Sequence, residues 1–284
     1  MLDRTRQIAI VCSAYFGLAY GQSDSRADQI DCHANTENIV RCATIALKQD
    51  WAADPLFGYI EKDEVQRGEK LTSKSYAVVM LDGSEYRMPI AIDDHPLSPE
   101  RRNIELSKLK RELERRRNES ASARQSRLQS WRKQHDDSGE LLLDFPGVLT
   151  FALVGEEIKD GHDSYLLAAK PRAGVVPTTR AQKVLTGIQG KVWVDKVGMH
   201  PFRIECSVVK AVPVYGVLAS VLPGTEIDIT MTPVADSTWL IDLVAMKLKV
   251  EKLHMLKSTQ VTRSVYTEYK PNADVVEQLL GVPW

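Results

Sequence analysis

Cysteine is scarce. Four in 284 residues are too few for a disulfide scaffold, and no CxxC pair or CxxC/HxxxH spacing offers a structural zinc site. An excess of one charge sign is also missing. Thirty-seven Lys and Arg oppose thirty-eight Asp and Glu, a formal net charge of −1, so no global field argues for nucleic acid as a partner. No stretch approaches the roughly eighteen consecutive apolar residues that a membrane-spanning helix requires. HExxH, GxSxG, the P-loop and GxGxxG are all absent, so no enzyme activity, cofactor or metal is expected. Glu156-Glu157 and Asp93-Asp94 are adjacent carboxylates, but neighbours in a strand point to opposite faces and share no proton there.

What remains is an ordinary globular composition, 43% hydrophobic and 26% charged, long enough to bury a sizeable core. At the start, Arg4 and Arg6 precede a mostly apolar run from Ile8 to Leu18, and Ala19-Tyr20-Gly21 sets small residues before Gln22. That order predicts a secretory signal peptide over 1–21. As a helix the run reaches only about 16 Å, roughly half the hydrocarbon thickness of a bilayer. Cys12 falls inside it without a lipobox and is not read as a lipidation site. The mature chain keeps Cys32, Cys42 and Cys206, an odd number in a compartment that permits disulfides. Ten residues of continuous helix would hold Cys32 and Cys42 about 15 Å apart, so a bridge between them requires the helix to begin after Cys32. Cys206 reads as a small buried hydrophobe.

Further along, Asn35 or Thr36 followed by Glu37 signals a helix start. Ile39, Cys42, Ala43, Ala46 and Leu47 make an apolar stripe over about 36–51. Three strands follow near 59–65, 75–81 and 86–92, with Asp82-Gly83 as a tight turn. Ser98 as N-cap, Pro99 and Glu100 start a second helix. Its span, 100–136, carries twelve Lys and Arg against six Asp and Glu, with Leu106, Leu109 and Leu113 as a short docking stripe and Asp136-Asp137 as its expected end. Arg115, Arg116 and Arg117 in this basic arm are candidates for binding anionic headgroups or an acidic partner; the alternative is a solvated insertion helix.

From Glu140 to Lys270 the chain is nearly all strand-like, punctuated by Asp160-Gly161, Gly198 and Asp236-Ser237. Phe202, Ile204, Cys206 and Val208 alternate with polar residues, as do Ile227, Ile229 and Met231. About ten strands in succession predict one antiparallel meander whose dry side two helices cover only in part, leaving the remainder to another sheet, to a closed barrel packed by its own side chains, or to a cavity for an apolar ligand. His95, His135, His162 and His200 fall in loops, turns or charged segments and read as solvated. Trp193 and Trp239 pack the sheet or line a cavity.

These motifs resemble a known group. Pro96-Leu97-Ser98-Pro99-Glu100 leads into Arg111-Glu112-Leu113-Glu114-Arg115-Arg116-Arg117-Asn118-Glu119. Gly190-Lys191-Val192-Trp193-Val194-Asp195, Phe202-Arg203-Ile204-Glu205 and a closing Tyr266-Thr267-Glu268-Tyr269-Lys270 follow. Over about 36–270 the chain resembles bacterial outer-membrane lipoprotein-sorting-like proteins of the LolA/LolB superfamily, whose pattern lacks the long basic helix. The resemblance implies an α+β fold, an incomplete antiparallel barrel over helices, forming a single domain over 22–284 with a helical insertion at about 97–136. It also implies a periplasmic protein whose hydrophobic cavity shelters a lipid or lipoprotein acyl chain, with transient contact at a membrane surface. The expected cavity lining is Phe202, Ile204, Val208, Ile227, Ile229 and Met231. The alternative function is an envelope scaffold acting through the basic helix.

Overall fold

A computed structural model of the chain describes residues 30–214, 219–253 and 255–281. The signal segment expected at 1–21, Cys12 within it, and His254 lie outside the described residues. Helix α1 (Thr36–Ala53) starts where the Asn35 side chain accepts the Asn38 N–H, and it buries the expected stripe together with Asp50. Because the helix begins at Thr36, the chain before it can turn back, and Cys32 and Cys42 form a disulfide. A 3-10 turn, Asp54–Leu56, leads into β1 (Phe57–Arg67), β2 (Lys70–Leu81), β3 (Ser84–Ile92) and the short β4 (His95–Pro96). Asp82 and Gly83 close the β2–β3 hairpin with φ of 48° and 85°, the positive values that such a two-residue turn needs.

The basic segment is two helices, not one. α2 (Pro99–Arg117) ends at Asn118, and α3 (Ala121–Leu143) restarts where the Ser120 hydroxyl accepts the Ala123 N–H. Asp136-Asp137 does not stop α3, since Lys133 Nζ pairs with Asp137 at 2.6 Å and the charges stay solvated on the helix surface. After α4 (Phe145–Val148) come β5 (Leu149–Lys159), β6 (His162–Pro171) and α5 (Arg180–Leu185). Then follow β7 (Ile188–Asp195), β8 (Pro201–Val208), β9 (Val212–Pro213), β10 (Ala219–Val221), β11 (Glu226–Ala235), β12 (Thr238–Lys252), β13 (Leu256–Pro271) and α6 (Asn272–Leu280).

These strands make one open, antiparallel, thirteen-stranded sheet in the order β4-β3-β2-β1-β13-β12-β11-β8-β7-β6-β5, with β9 and β10 appended beside β12. The α+β class and the incomplete barrel are as expected, but the sheet is two meanders rather than one. β1 pairs with β13, so the first hairpins lie beside the last long strand. The free edges β4 and β5 are joined through α2, α3 and α4.

Alternation along β1–β3 sends neighbouring residues to opposite faces. On the outer face Ala77, Val79, Leu81 and Met88 pack with Leu109 and Leu113 of α2 and Val275, Val276 and Leu280 of α6, supported by Ile60 and Tyr86. The Leu106, Leu109 and Leu113 stripe therefore docks as its spacing predicts. α2 and α3 straddle the tip of the β2–β3 hairpin. Arg116 donates from Nη1 to the carbonyls of Leu81 and Ser84 at 2.7 Å each, and Arg127 Nη1 donates to Ser84 Oγ at 2.6 Å. On the inner side α1 packs against β5, β8 and β12. No helix among the described residues is long and apolar enough to cross a membrane.

Candidate functional site

Between α1, α3 and the inner face of the sheet lies a cavity of about 430 Å³. Its lining changes character in the order of the strands. β11 and β12 contribute Ile227, Ile229, Met231, Leu240, Val244 and Met246, with Leu47 of α1 and Leu142 of α3 above them. β13 and β1 contribute Tyr266, Tyr269 and Tyr59, and the far end is charged: Asp54, Glu61, Glu85, Arg87 and His135. One end is hydrocarbon-like and the other is polar.

The charged end has defined geometry. Arg87 Nη2 lies 2.7 Å from Glu61 and 2.8 Å from Asp63, and its guanidinium stands 4.2 Å from the Tyr76 ring centre. Burial raises the Glu61 carboxyl to about 7, with Asp63 and Glu85 pushing the same way and Arg87 opposing. Glu85 is exposed as a residue, yet desolvation by the mass around it still raises its carboxyl, helped by Asp54. All three tyrosines are pushed up, first by burial and then by acidic neighbours, including Asp54 at Tyr59 and Tyr269 and Glu61 at Tyr266. Every one of these groups is driven toward its neutral form. Tyr269 is fixed by donating its hydroxyl to the Ile241 carbonyl at 2.6 Å, and the Tyr59 ring lies 5.1 Å from Tyr269 and 5.7 Å from Tyr266.

The helices covering the cavity meet through aromatic contacts. His135 of α3 sits between Trp51 and Trp131, with ring centres 4.6 Å and 5.3 Å away. Asp54 Oδ2, 3.6 Å from His135 Nε2, raises the imidazole above its ordinary value. Gly139 lets α3 approach, because a Cβ there would stand 2.6 Å from the Trp51 ring. At the opposite corner Asp50 of α1 accepts from the Trp239 backbone N–H at 2.9 Å and bonds His200 Nδ1 at 2.7 Å, while His200 stacks on Trp239.

Of the six residues expected to line the cavity, Ile227, Ile229 and Met231 do so. Ile204 lies under α1, facing a 40 Å³ gap shared with Val40, Ala43 and Leu47. Phe202 packs against His162 and Trp239, and Val208 is buried, 2% exposed, outside both spaces. The arginine triplet is divided. Arg116 is buried, 6% exposed, and committed to the hairpin tip, so it offers nothing to a headgroup. Arg115 is bound to Glu112 at 2.6 Å on the helix surface. His200, read as solvated, is buried because Asp50 pairs with it; His135 and His162 are likewise drawn into aromatic contacts. Cys206 is the buried hydrophobe expected, and burial pushes its thiol up to about 12.

Sequence reasoning missed the charged end entirely. The available signal was the order Phe57, Tyr59, Glu61, Asp63 on one face of β1, which sets aromatic rings beside carboxylates on the side opposite Ile60.

No protein-family model matches the chain, and no curated protein matches it. Solved structures similar to it include a DUF1329 family protein from Desulfovibrio piger, at 12% identity and a TM-score of 0.32, covering 85% of this chain and 96% of that one. A putative outer membrane lipoprotein-sorting protein domain from Vibrio parahaemolyticus is 11% identical at a TM-score of 0.34, covering 84% and 98%. A LolA superfamily protein from Nitrosomonas europaea is 14% identical at a TM-score of 0.33, covering 83% and 93%.

Proposed function

We propose that the protein is a non-catalytic binding protein of the bacterial envelope, exported to the periplasm, that carries or senses the apolar chain of a lipid or lipoprotein in the cavity between α1, α3 and the sheet. The observation behind this reading is the 430 Å³ space floored by Ile227, Ile229, Met231 and Met246. Its volume falls within the roughly 300–1,000 Å³ of small-molecule sites. The export part rests on the signal segment read in residues 1–21. Burying about ten methylenes at about 0.8 kcal/mol each yields on the order of 8 kcal/mol, from which ordering and association costs are subtracted. That suits reversible carriage, with loading and release during transient contact with a membrane surface.

Native mass spectrometry of protein purified without detergent tests the reading. A co-purifying mass matching one acyl-chain species, removed by organic extraction and restored by adding a fatty-chain ligand, is expected. A single bare mass, with no uptake of any added chain, would contradict it.

A further inference from the structure

The binding reading leaves open which kind of headgroup accompanies the chain, and the charged end of the cavity bears on that. We propose that it binds a cationic headgroup, an ammonium attached to the apolar chain, held by Asp54, Glu61 and Glu85 against the rings of Tyr59, Tyr266 and Tyr269. The proposal rests on the cavity being a binding site and adds the chemistry of what enters it.

Three observations point the same way. The lining carries four carboxylates, Asp50, Asp54, Glu61 and Glu85, against the Arg87 guanidinium and the His135 imidazole; Asp50 is bound to His200, Arg87 lies against Glu61 and Asp63, and His135 lies against Asp54. Glu85 lines the cavity with no ion-pair partner within 4 Å among the described residues. An anionic headgroup would therefore enter a region already crowded with negative charge, whereas a cation would relieve that crowding. The second observation is aromatic. Tyr59 lies 5.1 Å and 5.7 Å from Tyr269 and Tyr266, at interplanar angles of 44° and 68°. Rings set at such angles form the concave kind of wall that receives alkylammonium groups through cation–π attraction. The third is placement. Strand order puts this wall directly beyond the apolar floor, since β13 adjoins β12 and β1 adjoins β13, so one amphiphile can occupy both ends at once. The upward displacement of the tyrosine hydroxyls and of Glu61 and Glu85 comes first from burial; acidic neighbours add to it, Asp54 at Tyr59 and at Glu85 and Asp63 at Glu61.

Isothermal titration at pH 8 with dodecyltrimethylammonium, dodecanoate and dodecanol, all below micelle formation, tests the assignment. The ammonium is expected to bind at least about tenfold more tightly than the carboxylate of equal chain length. Glu85→Gln, on an exposed residue, and Glu61→Gln, which leaves Arg87 its Asp63 partner, should each shrink that ratio several-fold while dodecanol binding stays unchanged. Dodecylphosphocholine separates two sources of the cation: affinity matching the ammonium supports a phospholipid-type headgroup, and much weaker binding supports a simple amine. If dodecanoate equals or exceeds the ammonium while dodecanol still binds, the cation assignment is overturned and the apolar-chain reading survives. If none of the probes binds, both fall.

Discussion

The two faces of β1–β3 solve the same problem in opposite ways. On the outer face every second residue, Ile60, Ala77, Val79 and Met88, meets leucines of α2 and valines of α6 with little space between them. On the inner face the intervening residues, Tyr59, Glu61, Glu85 and Arg87, meet no leucine-rich helix and border an open volume. One backbone supplies both, because strand alternation assigns each neighbour to a different environment. What separates a core from a cavity here is the covering helix. α2 sets Leu109 and Leu113 against the sheet and α6 sets Val275, Val276 and Leu280, whereas α3 buries only Gly139 and Leu142 along its whole length.

Truncation is the strongest way to break this contrast. Leu109→Ala on the filled face, where the side chain is fully buried, should cost about 2–5 kcal/mol in chemical denaturation. Ile229→Ala on the cavity wall should cost less than half as much, because one side of that residue already lacks packed neighbours. Equal losses would mean that the inner face is as tightly filled as the outer one.

The hairpin tip where α2 passes to α3 is the next point of test. Arg116→Ala removes donors to three backbone carbonyls, those of Leu81, Ser84 and Glu85, and should destabilise by about 2–4 kcal/mol. Arg115→Ala, on the solvated side, should change stability by less than about 1 kcal/mol. Similar effects from the two would restore the triplet as a single surface patch. Reduction of the Cys32–Cys42 bridge, which closes a separation of ten residues, should cost about 2–3 kcal/mol through loop entropy. Thermal melts with and without reductant measure it.

Much of the filled half was legible in the sequence. Leu106, Leu109 and Leu113 announced a docking stripe, Asp82-Gly83 announced a turn, and the alternation at Ile227, Ile229 and Met231 set those residues on one face of their strand. The pairing of β1 with β13 was not legible, since it joins residues about two hundred positions apart and depends on no local pattern. The break at Asn118–Ser120 was missed because the charge pattern runs through it unchanged. The buried polar pairs were hidden for a related reason. His200 looks like a loop histidine until the fold brings Asp50 of α1 against it, and Glu61 looks like a solvated strand residue until β13 places Tyr266 opposite.

At Glu61 the expected effect is one of pH dependence. Its carboxyl titrates near 7 in the folded protein, above its value in the unfolded chain, so the folded state holds the extra proton between those limits. The associated stability is fully present below about pH 4.5 and is lost as pH rises through about 7. Glu61→Gln should flatten this part of the stability profile by on the order of 2 kcal/mol, after allowance for water in the cavity. An unchanged profile would place the carboxyl in ordinary solvent.

The most direct measurement is titration of a fluorescent fatty-chain probe into the native protein and into Ile229→Trp, which plugs the cavity floor, with the unfolding midpoint of each recorded alongside. The variant is expected to fold and to lose at least about tenfold in probe affinity. A folded variant that binds the probe as tightly as the parent would show that the chain does not enter between α1, α3 and the sheet.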